Sequence, residues 1–430
     1  MMGDAMKKSA VWLIFGALVA GLGSAGMAQS FNFRMTTSFY NWERFDTDST
    51  TSKHLRIYQL GSMNLNRLFG QKNLSFHTYL GYSRDVGQKA GNDPQNLLYS
   101  AYLDWRNLPG KGQLRLGRQR IFAGVGFGTL DGLLAKFSIL SRVQILGYAG
   151  LLAPALNEAK LEKWEDSHMI GGQLLATPFR SLRVSLSYVR RNRLPLRYTL
   201  PGRFTEERVT FQALQNELFG VDLSYSGLKN ATLFGRLDYD LGLHRVRRVD
   251  FRGNYRAGPR LQWGVSLIHR TPYQNLNSIF SVFTQYGYDE YGLNFRYKLA
   301  GDLAFIGRGG TRVYRGDNGF FFGGGFYWRN QYFGYFHRSG YEGLGDNLIV
   351  QTNWLLRKKL TVLLGANIFS YSLNPEYDSE RELAVAGNLG LIYRPSSWTD
   401  INLQVQSLHN ERYRSDLRFF LRATYWYFRR

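Results

Sequence analysis

The chain has 430 residues, 44% of them hydrophobic and 16% aromatic, with 54 Lys and Arg against 32 Asp and Glu, a formal charge of +22. It contains no cysteine, which excludes disulfides, a thiolate nucleophile and haem attachment through Cys-x-x-Cys-His. The charge alone would suit nucleic acid, but the basic residues alternate with apolar ones along strand-like units, and a leader sequence takes the chain away from cytoplasmic nucleic acid.

That leader is residues 1–28. Lys7 and Lys8 precede an apolar stretch from Ala10 to Ala20, and small residues end at Gly26-Met27-Ala28. The pattern is that of a secretory signal peptide cleaved after Ala28, and the apolar stretch is short of the ~20 residues a spanning helix needs. Beyond it no uncharged apolar run reaches ~18 residues, which argues against a helical membrane bundle.

From residue 29 onward one unit repeats: about ten residues of apolar and polar alternation, then a turn rich in Gly, Asn, Asp or Pro. Leu233, Leu237, Tyr239, Leu241 and Leu243 share one face of such a unit, and Thr232, Arg236, Asp238, Asp240 and His244 share the other. Repeated around a closed sheet, this is the signature of a transmembrane barrel. The expected fold is all-β: a single transmembrane antiparallel up-and-down β-barrel domain over residues 29–430, in the bacterial outer membrane. Counting every unit gives about 22 strands, falling to 16 or 18 if the units meeting near Asn330 or His244 are single long strands. Short connections at 70–73, 109–112, 229–230, 257–259 and 300–302 are expected on the periplasmic side. Longer ones at 43–53, 87–96, 155–167, 194–215 and 374–381 are expected outside.

The first unit spans residues 31–42, and strand-like sequence beginning at Phe31 argues against the N-terminal plug of a TonB-dependent receptor. Residues 155–167, with Leu156, Glu158, Leu161 and Glu162, could form a short helix in a loop. The last unit, residues 417–428, places Leu417, Phe419, Leu421, Ala423, Tyr425 and Tyr427 on one face. It is similar to the C-terminal signal read by the barrel assembly machinery, although Arg429 and Arg430 follow the last aromatic.

Turning the uniformly apolar face to lipid decides the orientation, because each midplane Arg or Lys on the lipid side would cost roughly 2–4 kcal/mol. The residues then expected to line the interior are Arg34, Arg56, Arg115, Arg183, Arg236, Arg248, Arg252, Arg256, Arg296, Lys298, Arg308, Arg312, Arg418 and Arg422. The acids Asp104, Asp222, Asp238, Asp240, Asp250 and Glu290 share that face. Arginine presents a planar set of donors matched to carboxylate and phosphate, so the lumen should favour anions. The competing expectation is that these charges pair across neighbouring strands and hold a filled barrel rigid.

The most distinctive local stretch is residues 114–133, LRLGRQRIFAGVGFGTLDGL. It reads as a strand to Gln119, a Gly-rich loop through Gly124, Gly126 and Gly128, and a return at Asp131-Gly132. A nucleotide cradle is excluded by the lack of a following helix. Leu116-Gly117-Arg118-Gln119 followed by Asp131-Gly132 resembles a motif of outer-membrane porin-like barrels related to the alginate-export proteins. That resemblance implies passive passage of a polyanionic or other anionic solute.

The seven histidines show no ligand spacing, and no metal or cofactor is expected. Ser75 beside His77 is a formal candidate for a barrel-embedded Ser-His-Asn hydrolase. The expectation is a non-enzymic, porin-like channel for anionic solutes. The alternatives are a polyanion export conduit with a periplasmic partner, an outer-membrane hydrolase and a closed structural barrel. Expected partners are outer-membrane lipid and lipopolysaccharide, the assembly machinery and the anionic solute, with a homotrimer possible and no nucleic acid.

Overall fold

The computed structural model describes residues 28–45, 51–87, 95–193, 198–200, 207–209, 214–272, 287–340, 343–372, 380–410 and 416–429. Residues 1–27 of the expected leader lie outside them, and its last residue, Ala28, begins the first strand. The strands are β1 Ala28–Phe45, β2 Thr51–Leu68, β3 Leu74–Asp85, β4 Asn96–Leu108, β5 Gly112–Ala123, β6 Gly126–Leu140, β7 Val143–Leu152, β8 Ser167–Phe179 and β9 Leu182–Arg193. A small separate hairpin, β10 Tyr198–Leu200 and β11 Glu207–Val209, sits in the next connection. The wall continues as β12 Leu214–Tyr225, β13 Ala231–Asp240, β14 Arg245–Arg256, β15 Leu261–Arg270, β16 Tyr288–Ala300, β17 Leu303–Tyr314 and β18 Asp317–Trp328. It ends with β19 Gln331–Gly340, β20 Leu344–Arg357, β21 Leu360–Ser372, β22 Glu382–Ser396, β23 Thr399–His409 and β24 Asp416–Arg429.

Every wall strand pairs antiparallel with its sequence neighbours, β9 pairs with β12, and β24 pairs with β1 from Phe31↔Arg429 to Asn41↔Phe419. The sheet is therefore a closed 22-stranded barrel, in which no edge is left to seek a partner in lipid. The units meeting near Asn330 and His244 are separate strands joined by tight turns at 329–330 and 241–244, so the higher strand count holds. The connections read as short from sequence fall at one end of the barrel and those read as long at the other, but the tight turns at 124–125, 241–244 and 315–316 lie at the long-loop end.

Residues paired across a ladder share a face. The outward face carries exposed Leu116, Leu237, Val249, Phe251, Leu267 and Leu293. Exposed Trp105, Trp263, Trp328, Trp354 and Trp398 sit within a few residues of the short turns. This is an apolar belt with an interfacial aromatic girdle. The principal hydrophobic core lies inside the barrel, around Ile121, Leu130, Leu152 and Met169.

Residues 153–166 form no helix. They run in turns, and Glu158 makes an antiparallel bridge to Leu97 at the start of β4. A helix would have satisfied its backbone internally; here the backbone is used to complete the wall.

Candidate functional site

The β4–β5 ladder ends at Ala101 and Arg118, whereas β5 and β6 remain paired up to Ala123 and Gly126, and β6 parts from β7 beyond Leu130. The hairpin tip, residues 119–129, is thus detached from the wall on both flanks, and it bends into the lumen. Gly117 stands at the bend with φ +122°, where a Cβ would lie 2.3 Å from the Ala101 carbonyl oxygen. The tip turn is Gly124-Val125. The Val125 amide donates to Ser187 Oγ on β9 (3.1 Å), and the Gly124 carbonyl accepts from Arg236 Nη2 on β13 (3.3 Å). The Gly-rich stretch is therefore not an open loop: β5 runs four residues past Gln119 and turns within two.

The two faces of the hairpin differ in fate. Ile121, Ala123, Val125 and Leu130 pack against Tyr148, Leu152, Met169 and Val189 on the inner wall of β7 to β9. Phe122 and Phe127, with ring centroids 5.3 Å apart, stay 67% and 62% exposed on the opposite face. Burying one apolar face while the other meets the lumen holds the flap against the wall.

Where the hairpin leaves, the wall needs a new partner for β4. The Leu98 amide donates to the Asn157 carbonyl at 2.7 Å beside the Leu97↔Glu158 bridge. Arg118, 3% exposed, fixes this patch with all five of its donors. Nε and Nη2 form a bidentate pair with Asp131 at 2.6 and 2.7 Å. Nη1 donates to the carbonyls of Leu98 (3.0 Å) and Glu158 (2.7 Å), and Nη2 donates to that of Lys160 (2.7 Å). By register Arg118 and Asp131 belong to the outward parity, yet they are buried under the 153–166 segment. Gln119, also buried, donates to the carbonyls of Arg115 and Gly132 (3.3 Å each). The Gly117, Arg118, Gln119, Asp131 and Gly132 motif is thus the device that bends the hairpin inward and reseals the wall.

Between the hairpin and the wall of β9 to β16 lies a cavity of about 500 Å³. Val125 and Phe127 face it from the hairpin; Val189, Leu218 and Tyr288 are its apolar wall residues; Arg191, Arg236, Arg247, Arg248 and Arg270 bring five guanidinium groups against one carboxylate, Asp238. Arg236, Asp238 and Arg248 are among the residues singled out from sequence. Arg191 and Arg270 were legible from strand parity with Val189 and Ile268. Arg247 reaches the cavity only because the β13–β14 register shifts after Asp238.

The register puts the other arginines and acids on the same inner face but spreads them widely. Arg115 lies 3.5 Å from buried Asp104, which also takes Arg106 and Gln113. Asp250, fully buried, is bonded by Arg248 (2.6 Å) and by Arg252 (2.9 and 3.0 Å). Arg236 bonds Asp238 at 2.8 Å and lies 3.7 Å from Asp222. Asp240 caps the β13–β14 turn by accepting from the Leu243 amide. Arg312 pairs with Glu290 and Arg418 with Asp416. Arg308 lies over the Phe336 ring at 4.5 Å and, with Arg296, borders a second cavity of about 520 Å³ toward the short-turn end. Arg34 and Arg422 project from β1 and β24, Arg56 donates to Ser83 on β3, and Arg183, Arg256 and Lys298 sit opposite Ser224, Gln262 and Ala304. Most of these close pairs join residues two apart on one strand, whereas the competing expectation was pairing across neighbouring strands.

Ser75 Oγ lies 3.0 Å from His77 Nε2, and His77 Nδ1 lies 2.7 Å from Asn64 Oδ1. Ser75 is buried, and its hydroxyl also lies 3.3 Å from the Asp104 carbonyl. A second constellation of the same form occurs on the outward face: Thr271 Oγ1 is 3.3 Å from His269 Nε2, and His269 Nδ1 is 2.7 Å from Asp289. Both follow from sheet spacing, with two members two apart on one strand and the third directly opposite the histidine.

No family model matches the chain, and no curated protein matches it in sequence. Solved structures do match in fold. A variant of the ferric enterobactin receptor PfeA of Pseudomonas aeruginosa has a TM-score of 0.56 at 10% identity, covering 93% of this chain and 81% of that one. The siderophore receptor PirA of Pseudomonas aeruginosa gives 0.55 at 10%, covering 92% and 80%. A BenF-like porin from Pseudomonas fluorescens Pf-5 gives 0.44 at 10%, covering 94% and 100%. Among the described residues no globular plug occupies the lumen. The closed barrel, its apolar belt and its aromatic girdle make this chain a bacterial outer-membrane β-barrel.

Proposed function

We propose that the protein is a passive, porin-like channel selective for anionic solutes, narrowed by the inward hairpin and lined by arginine. The observation that carries this reading is the cavity beside the hairpin, where five arginines meet one carboxylate. A wall built only for rigidity would pair its charges one for one. Here Asp250 is shared by two arginines and the cavity lining carries more arginines than carboxylates, which favours a positive field that a low-dielectric lumen focuses on passing anions. The bend formed by Gly117, Arg118, Gln119, Asp131 and Gly132 gives the resemblance to alginate-export barrels a structural content, and it supports assignment to that porin-like group. The Ser75 and Thr271 constellations arise from sheet spacing, which supports a non-enzymic role.

The experiment is single-channel conductance and reversal potential of the folded barrel in a planar bilayer with asymmetric KCl. A stable current whose reversal potential lies toward that of chloride is the expected result. Silence from folded protein, or cation preference, would refute the reading.

A further inference from the structure

The cavity is not uniformly polar, and that bears on which anion it takes. Its volume of about 500 Å³ falls in the range of small-molecule sites and is far above the roughly 30 Å³ share of a single water. A simple inorganic ion would leave most of it to solvent. Apolar side chains line it beside the arginines: exposed Phe127 from the hairpin, and Leu218 and Tyr288 from the wall, while Val125 and Val189 lie in the buried core. A fully hydroxylated polyanion would leave those side chains facing hydrated groups with nothing to gain from them.

The arginines are not equally committed. Arg236 is held by Asp238 and by the Gly124 carbonyl. Arg248 uses Nη2 on Asp250, while its buried Nε has no hydrogen-bond partner. Arg270, exposed at the end of β15, borders the cavity near Tyr288, the residue opposite it on β16. A carboxylate is the planar acceptor that guanidinium geometry suits.

We infer that this cavity binds a flat, apolar carboxylate, an arene carboxylate of about benzoate size or somewhat larger. The carboxylate meets Arg248 and Arg270, and the ring meets Phe127 and Tyr288. The inference rests on the anion-channel reading and narrows it to amphipathic monomers. Selectivity requires both halves: acetate lacks the apolar body, and benzyl alcohol lacks the charge.

The test is isothermal titration of the full chain, folded in a non-ionic detergent, with benzoate, acetate and benzyl alcohol, using protein-free micelles as the blank. Saturable benzoate binding at least tenfold tighter than either comparison compound is expected. Phe127→Ala should weaken benzoate at least fivefold, and Arg270→Gln should act in the same direction. Both side chains are exposed, and circular dichroism with heat-modified gel mobility verifies that each variant is folded. Equal affinity for benzoate and acetate, equal affinity for benzoate and benzyl alcohol, or unchanged benzoate affinity in Phe127→Ala overturns the inference. Because binding is read without current, a barrel that conducts anions but shows no benzoate preference removes this inference and leaves the channel. Benzoate binding without anion-selective current does the reverse.

Discussion

Arg118 and Asp131 face each other across the β5–β6 ladder in a bidentate pair at 2.6 and 2.7 Å, on the side of the sheet that elsewhere meets lipid. Their burial depends on the 153–166 segment lying over them, and that segment's carbonyls take the remaining donors of Arg118.

Removing one partner strands the other. Arg118→Ala leaves the Asp131 carboxylate buried without its cation, and such breaks cost about 3–5 kcal/mol. Arg118→Lys keeps the charge but supplies three donors from a point where five from a planar fork are used, so a smaller loss is expected. Urea unfolding of the barrel in lipid vesicles measures both. A midpoint unchanged by Arg118→Ala would show that the clamp is not a source of stability.

The hairpin can be displaced without touching the clamp. A Cβ at Gly220 on β12 would lie 2.4 Å from Val125 Cγ1, so Gly220→Val drives the tip off its seat. Overpacking of this kind costs roughly 1–3 kcal/mol, and single-channel conductance should rise as the lumen widens. Unchanged conductance from a folded variant would mean that the hairpin does not set the narrowest section.

Selectivity and stability can be separated along β14. Replacing Arg248, Arg252 and Arg256 together with Gln should lower anion preference, but it also strips fully buried Asp250 of both its partners. The triple variant should therefore lose several kcal/mol of stability, and adding Asp250→Asn should restore much of it. Reversal potential and urea midpoint, measured on the same preparations, check the two effects. A triple variant as stable as the parent would contradict the role given to Asp250.

Ser75 gives the sharpest check on the non-enzymic reading. A fluorophosphonate probe should leave Ser75 unlabelled, because the backbone amides of β2 to β4 that could serve an oxyanion are spent in the ladder. Stoichiometric labelling abolished by Ser75→Ala would establish a nucleophile there.

The wall was readable because two constraints coincide in it. Side-chain alternation of period two fixes the faces, and the cost of charge in hydrocarbon fixes which face is outside. The hairpin escaped the same logic, since a strand inside the lumen alternates as a strand in the wall does. Two residues carried the missing signal. Arg118 and Asp131 have lipid-facing parity, so a charged pair there marks a place where the wall does not meet lipid. From Ile121 to Leu130 no residue is charged, unlike the lumen-facing parity of the wall strands, where Arg and Asp recur. The inner arginines were legible one by one, but their gathering was not, because strand parity says nothing about height along the barrel. Arg247 depended on a register shift that no local pattern announces.

The resealed wall also imposes a sequence of events in time. Leu97 and Glu158 meet across a gap that the hairpin has vacated, and once that seam is zipped the opening through which residues 119–129 swing is shut. The hairpin is expected to seat before the seam forms, because the closed seam would bar its way. The seam works as a ratchet on assembly: afterwards, withdrawing the flap requires unzipping part of the membrane wall.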